Sequence, residues 1–297
     1  MNASAITIPF ALLCAVTCAQ EPGPVPVPVP PKAPQKITAQ DTRQLALAMQ
    51  QQFAAEGIVV DAKAQTVTIK ATMNQPPDPI EYLLIHKKGK RHEALFITGS
   101  KPSVLNAALL LLGLKPGKNA SVREKNPPPT LEEIERGVDP VIVTPPQGDE
   151  LFLTVRWQDA AGKAVEYCIE DLLVDLQAQD VMQAGGWIFL GGRMAQLYKN
   201  EPEVFIADFE GNLISICYLS PDNHLATLRH ERARDDQNWW FTKFCPDSGT
   251  EVEIVFWKQK PQILLDRDKR LAELAKQQPP VTPKPGPPKD GVKDAGK

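Results

Sequence analysis

The sequence predicts an α+β fold: a sheet-rich mixed domain with a central buried apolar helix, in which strands dominate the C-terminal half. Three observations support this prediction. Residues 79–117 read as a β-hairpin followed by a wholly apolar helix. From residue 149 onward, short β-rich runs alternate with turn residues. The chain of 297 residues is also long enough for one large domain or two small ones.

The folded region begins with a predicted helix over residues 40–56. Good helix formers surround Leu45, Leu47, Met49 and Phe53, and Gly57 lies where a helix would end. Two β-rich segments follow, at residues 58–60 and 65–71, and they bracket a short turn.

The next segment predicts a β-hairpin. Strands over residues 80–86 and 91–98 would be joined across residues 87–90, where Gly89 can adopt a positive φ. In this register the numbers of two paired residues add up to 177, so residue 86 lies opposite residue 91 and residue 85 lies opposite residue 92.

A helix over residues 102–112 follows the hairpin. Pro102 lies in its first turn, where a missing N–H is harmless, and Gly113 ends it. The interior sequence VLNAALLLL is apolar on nearly every face. Because only a helix covered on several sides tolerates that composition, we expect this helix at the centre of the core.

The second half of the chain is predicted to be mostly strand. Its last strand, residues 251–257, precedes a charged amphipathic helix over residues 263–275. The other principal strands are predicted at residues 151–157, 163–170, 186–190, 203–208 and 212–219.

The N-terminus predicts export. Residues 6–16 form an apolar run of signal-peptide length, and small residues allow cleavage near Ala19, so we assign residues 1–19 to a signal peptide. A buried N-terminal strand is the alternative. We therefore expect a periplasmic or secreted protein, associated with the cell surface.

Proline-rich segments flank the folded region. Residues 20–37 favour extended polyproline II and are predicted to be a spacer, with a proline-rich docking ligand as the alternative. Residues 277–297 are predicted to form a disordered tail rich in proline and lysine. The core is thus residues 38–276, either undivided or built from subdomains at 38–125 and 148–260 plus the final helix.

Charge excludes one class of partner. The net charge of −3 includes about +1 from the spacer and +3 from residues 276–297, where five lysines face two aspartates, which leaves residues 38–275 near −7. An acidic core without a face dense in lysine and arginine argues against nucleic acid as a partner.

After removal of the signal peptide, no apolar stretch is long enough to form a transmembrane helix.

Three cysteines remain after signal removal: Cys168, Cys217 and Cys245. The sequence has no C-x-x-C, which excludes an iron–sulfur site or a zinc knuckle of the usual spacing. Cys217 lies in an apolar run, where a buried inert thiol is expected. A disulfide from Cys168 to either of the other two is compatible with export.

The turn of the predicted hairpin carries the densest group of reactive side chains. His92 and Glu93 are the candidate catalytic pair, and His86, Lys90 and Arg91 are candidate ligand-binding residues. The hairpin register would place the two imidazoles on opposite faces of the sheet, so they could not share a metal. The favoured interpretation of this group is a solvated hairpin tip, with ligand binding or catalysis as the alternatives, and we predict no metal site and no cofactor.

Other sequence motifs add little. His224 and His230 lie in a charged segment that predicts a surface loop. The sequence contains no G-x-S-x-G, no H-E-x-x-H and no glycine-rich dinucleotide turn.

The block IEYLLIHKKGKRHEALFITGSKPSVLNAALLLLGLKPG resembles the signature of YdjY-domain proteins, which are exported bacterial proteins of unassigned function. The matching parts are residues 80–83, 89–95 and 101–117. Later segments are similar as well, at residues 148–149, 156–157, 186–189 and 207–216. The resemblance implies an exported domain and supplies no catalytic residues.

These observations favour an exported, non-enzymatic binding or structural module of the cell envelope, with an envelope protein or glycan as its partner. The alternative is an extracytoplasmic hydrolase or metal-dependent enzyme that uses His92 and Glu93. A redox accessory protein is disfavoured, because the sequence lacks the cysteines that bind a cluster.

Overall fold

The structure, a computed structural model, describes residues 38–183, 186–219 and 222–277. The predicted signal peptide, the predicted spacer and the tail from residue 278 onward lie outside the described residues. The described residues divide into two units, residues 38–43 and residues from 44 onward. In the first unit, the Asp41 carboxylate accepts hydrogen bonds from the backbone N–H and the hydroxyl of Thr38.

The described residues form five α-helices and seventeen β-strands. The helices are α1 (Ala39–Ala55), α2 (Pro102–Leu111), α3 (Leu131–Glu135), α4 (Ile206–Glu210) and α5 (Gln262–Gln277). The strands are β1 (Ile58–Asp61), β2 (Thr66–Met73), β3 (Tyr82–His86), β4 (Ala94–Thr98), β5 (Ser121–Glu124), β6 (Val141–Thr144), β7 (Glu150–Gln158), β8 (Ala164–Cys168), β9 (Leu173–Asp175), β10 (Asp180–Val181), β11 (Trp187–Phe189), β12 (Met194–Ala195), β13 (Val204–Phe205), β14 (Asn212–Ser215), β15 (Ala226–Leu228), β16 (Trp239–Phe241) and β17 (Glu251–Trp257).

The main sheet closes on itself. Within the described residues, eight strands form a closed β-barrel in the order β2–β17–β7–β11–β15–β14–β3–β4, and β4 pairs back to β2 through Thr72↔Ile97 and Met73↔Phe96. Alternate residues of its strands, such as Ile69 of β2 and Phe256 of β17, are fully buried in the core. The predicted α+β class is therefore wrong, because this fold is a sheet-dominated barrel with a few helices.

The apolar helix α2 is not central. Val104, Leu105 and Ala108 join the core, whereas Leu110 and Leu111 are 42% and 57% exposed. Its apolar composition predicted burial on all sides, but the barrel interior is filled by strand side chains. One face of α2 is therefore enough to cover the barrel, and the other remains at the surface.

The predicted hairpin is also wrong. β3 and β4 are adjacent but parallel, with Tyr82 opposite Ala94 and His86 opposite Thr98. The intervening residues 87–93, which we call the crossing segment, therefore run back along the strand pair. A 3₁₀ turn at Arg91–Glu93 leads from this segment into β4. All five residues of β3 are buried, and a second apolar cluster formed by Tyr82, Ile85 and Ala94 accompanies the crossing segment. A plain hairpin tip would leave such a strand exposed on one face.

Several strands and helices were predicted correctly. Strand β17 has the predicted first and last residues, and β7 and α5 extend one or two residues beyond their predicted ends. Among residues 38–183, 186–219 and 222–277, no helix is both long and apolar enough to cross a membrane.

Gly89 tests the close packing of the crossing segment. A Cβ at this position would lie 2.8 Å from the carbonyl oxygen of Gly211 and 3.1 Å from Cβ of Ile85. We expect Gly89→Ala to lower the free energy of unfolding in urea by about 1–3 kcal/mol, as overpacking does. Gly99→Ala is the matched control, since a Cβ there meets nothing within 4 Å. Equal losses in the two variants would contradict the packing described here.

Candidate functional site

The parallel crossover splits the predicted residue cluster. His86 lies at the C-terminal end of β3 beside Thr98, whereas His92 and Glu93 immediately precede β4 at the other end of the pair. Five or six residues of strand separate the two ends, roughly 15–20 Å at 3.3 Å per residue. The two imidazoles are therefore kept apart by the length of a strand and not by the two faces of a hairpin.

The end of the β3–β4 pair that holds His92 carries a group of charged side chains around the Glu93 carboxylate, which we call the acidic cluster. Glu93 is mostly buried, forms an ion pair with Lys90 (Nζ–Oε2, 3.3 Å), and lies close to the His92 ring (Nε2–Oε1, 3.1 Å). The turn is held in place by the Asn74 side chain, which donates to the Arg91 carbonyl at 2.6 Å and the Ala94 carbonyl at 2.7 Å. Lys90 and His92 are thus oriented toward one carboxylate, while the Arg91 side chain is exposed.

Glu81 joins Glu93 to form a carboxyl pair. The Glu81 N–H donates to the Glu93 carbonyl at 3.0 Å, so the backbone places the two residues side by side. Burial, and then the negative charge of Glu93, raise the pKa of Glu81 above its usual value. A side-chain hydrogen bond with Glu93 acts in the same direction and favours the protonated form of Glu81. Two carboxyls in unequal environments that share a proton are a typical arrangement for general acid–base chemistry.

Across the part of the chain that the structure describes, no group of three or more histidine, cysteine, aspartate or glutamate side chains is placed to hold a metal ion.

The end that holds His86 is a cavity of about 520 Å³, which we call the basic pocket. It is formed where the end of α1, the middle of β2 and the turns after β3 and β4 come together. Its lining residues are Ala55, Glu56, Lys70, His86, Lys87, Lys88, Gly99, Ser100 and Lys101.

His86 organises the basic pocket. The imidazole is buried, and its Nδ1 accepts a hydrogen bond from the Lys88 N–H at 3.3 Å, which leaves the hydrogen on Nε2. Burial, and then the positive charge of Lys87, lower the pKa of His86, so the ring is neutral at neutral pH. His86 therefore shapes the turn that carries two lysines and adds no charge of its own.

A second concavity, which we call the outer groove, adjoins the basic pocket. It has a volume of about 520 Å³ and crosses strands β4, β2, β17 and β7. Lys70 and Gly99 line both cavities. Across the outer groove, Arg156 pairs with Glu253 at 2.7 Å. Its lining residues are Lys70, Ala71, Thr72, Ile97, Gly99, Arg156, Trp157, Gln158, Ala164, Glu251, Val252 and Glu253.

The cysteines are not placed for redox chemistry. Cys168, Cys217 and Cys245 are all free, and none of the bridges left open by the sequence is present. Burial raises the pKa of the Cys168 and Cys245 thiols to about 12 and raises that of Cys217 as well. Buried thiols of high pKa are poor nucleophiles.

His224 is buried, contrary to the predicted surface loop. His224 lies two residues before barrel strand β15 begins, so it enters the core with that strand although charged residues are nearby in the sequence. Its Nδ1 lies 3.2 Å from the Asn223 side-chain oxygen, and its Nε2 has no hydrogen-bond partner among the described residues.

Sequence reasoning missed Glu81, Glu56 and Lys70. Glu81 reads as the polar position of an apolar strand, and only the parallel register brings it next to Glu93. Glu56 and Lys70 lie far from His86 in the sequence, so no local pattern connects them. His86, Lys90, Arg91, His92 and Glu93 were all singled out, but as one cluster where the structure has two.

Glu81→Gln tests the carboxyl pair. A raised pKa means that Glu81 favours the folded state below its unfolded pKa, near 4.5, and that this contribution is lost as the pH rises. We expect the variant to gain stability relative to the parent protein as the pH rises from 4 to 8, measured by urea unfolding. Glu135→Gln, at an exposed position outside the cluster, should show no such trend. A pH-independent effect of Glu81→Gln would contradict the pair.

Because His224 is buried, we predict that the folded protein loses stability in acid. Burial lowers its pKa from 6.5 to about 4. Its contribution to stability is therefore complete above pH 6.5 and is lost as the pH falls toward 4, a change of about 3 kcal/mol. The free energy of unfolding should fall less steeply over this range for His224→Gln than for the parent protein. Parallel pH curves would show that the imidazole is accessible to water.

The sequence was compared with known families, curated proteins and solved structures. The profile of the YdjY domain matches residues 58–257, which is more than half of the chain and includes every strand of the barrel. No curated protein and no solved structure matches the sequence.

Proposed function

The chain belongs to the YdjY domain family, and we propose that it is an exported, non-enzymatic module that binds an envelope protein or glycan through the outer groove. Export rests on the apolar N-terminal run and the proline-rich segments of the sequence. Nucleic acid is not the partner we propose, because the core is acidic.

The observation that carries the proposal is the outer groove itself. Its lining residues come from neighbouring strands of a closed barrel, whose backbone is fixed by hydrogen bonds on both sides of each strand. Arg156 and Glu253 neutralise each other, and Thr72 and Gln158 add uncharged polar groups. A rigid concave surface with polar groups and an aromatic residue, Trp157, suits recognition of a polar ligand.

Filling the groove should abolish binding. Thr72→Tyr places a ring in the outer groove, whereas Thr68→Tyr places the same ring on the same face of β2 but outside it. The purified protein and its two variants are each mixed with a preparation of envelope glycans and, separately, with a preparation of envelope proteins. Binding is measured by co-sedimentation. We expect one of them to bind the parent protein and Thr68→Tyr, and to lose binding to Thr72→Tyr by about tenfold or more, as expected for a clash in a packed site. If neither preparation binds, the proposal is wrong.

A second candidate function is a hydrolase that uses the acidic cluster. The observation that favours it is the raised pKa of Glu81 beside Glu93 and His92. In such an enzyme Glu81 would serve as the acid and Glu93 as the base, with His92 and Lys90 balancing charge on Glu93. The pH series of Glu81→Gln described above reports on the same pair.

A further inference from the structure

The basic pocket brings together four lysines and one carboxylate. Lys70, Lys87 and Lys88 are exposed and line one cavity, and among the residues the structure describes none of them forms an ion pair. The fourth lysine, Lys101, lies 3.8 Å from the one carboxylate of the pocket, that of Glu56. Three unpaired cations in one concavity are unusual on a core whose net charge is near −7.

The backbone beneath these lysines is fixed. The Lys87 N–H donates to the Thr98 carbonyl at 2.9 Å, and the Lys88 N–H donates to the buried His86 ring. The Thr98 hydroxyl donates to the Lys70 carbonyl at 2.7 Å, which ties β2 to the end of β4. Three separate parts of the sequence are thus joined by buried hydrogen bonds, and each presents a cation to the same cavity.

The carboxylate of the pocket is already used. Besides its ion pair, Glu56 accepts a hydrogen bond from the Lys101 N–H at 2.9 Å. The neighbouring N-terminus of α2 is used as well, because Asp208 accepts hydrogen bonds from the N–H and the hydroxyl of Ser103. The attraction for an anion therefore comes from Lys70, Lys87 and Lys88.

We propose that the basic pocket binds a carboxylate or phosphate group carried by an envelope glycan whose sugar units occupy the outer groove. This rests on the proposed function and specifies its ligand class. Lys70 connects the two cavities, so one ligand can reach both. Lysine ammonium groups bind either anion as point charges, and the charge-balanced groove suits the uncharged part of a sugar chain.

The experiment compares three purified probes with the full-length protein by titration calorimetry at low salt. They are an oligogalacturonate, its neutral methyl ester, and a glycerol-phosphate oligomer. We expect at least one charged oligomer to bind about tenfold more tightly than the methyl ester, because three exposed charge contacts each contribute modestly. The preference should shrink as salt is added. The charged probe that binds identifies the anion as carboxylate or phosphate.

Two triple variants locate the effect. Lys70→Gln, Lys87→Gln and Lys88→Gln together should remove the preference for the charged probe. Lys63→Gln, Lys118→Gln and Lys243→Gln together change the net charge equally at exposed positions outside both cavities and should retain it. Thermal melts verify that both variants fold.

The outcomes separate the two proposals. If the methyl ester binds as tightly as the charged oligomers, the anion site is wrong while the groove proposal stands. Equal loss in both triple variants, or equally tight binding of single-stranded DNA, would show attraction by overall charge and would also overturn the site. If no probe binds and the groove preparations also fail to bind, the proposed function fails with it.

Discussion

The pairing of β2 with β4 is the constraint on which the rest of the structure depends. β2 pairs with β17 along seven residues on one side, while on the other side it pairs first with β1 and then with β4. This last contact closes the ring and leaves no open edge between the first and last strands of the path. A closed sheet needs no partner chain to satisfy its backbone hydrogen bonds. It also fixes the direction of β4, and with it the path of the segment that carries most of the candidate site.

The path of this segment separates two groups of charged side chains. Because β3 and β4 are parallel, residues 87–93 start at one end of the strand pair and finish at the other. Lys87 and Lys88, near the start of the segment, lie around His86, whereas Glu81 and Glu93 lie at the opposite end with Lys90. Had the segment formed a tight hairpin, these charges would lie together and would largely neutralise one another. Their separation by a strand length produces the two distinct electrostatic environments.

The buried polar side chains support these environments. His86 is neutral and fixes the lysine-bearing turn, while the Thr98 and Ser100 hydroxyls tie the end of β4 to β2 and to Glu56, the residue after α1. At the other end, Asn74 holds the turn before β4 through two carbonyl groups. Each cluster is thus built on hydrogen bonds between parts of the chain that are distant in sequence, and such bonds give fixed geometry to exposed charged groups.

Local pattern was sufficient for much of the secondary structure. The alternation in β17, the amphipathic period of α5 and the Pro102–Gly113 boundaries of α2 all act over a few residues, so the sequence alone determined them, together with the family to which the chain belongs. The direction of β4, the closure of the barrel, the exposed face of α2 and the burial of His224 were decided only by the tertiary structure. Each of these depends on which distant strand lies alongside, and a short apolar run has the same composition whether its neighbour is parallel or antiparallel. The proximity of Glu81 to Glu93, and of Lys70 to His86, has the same origin.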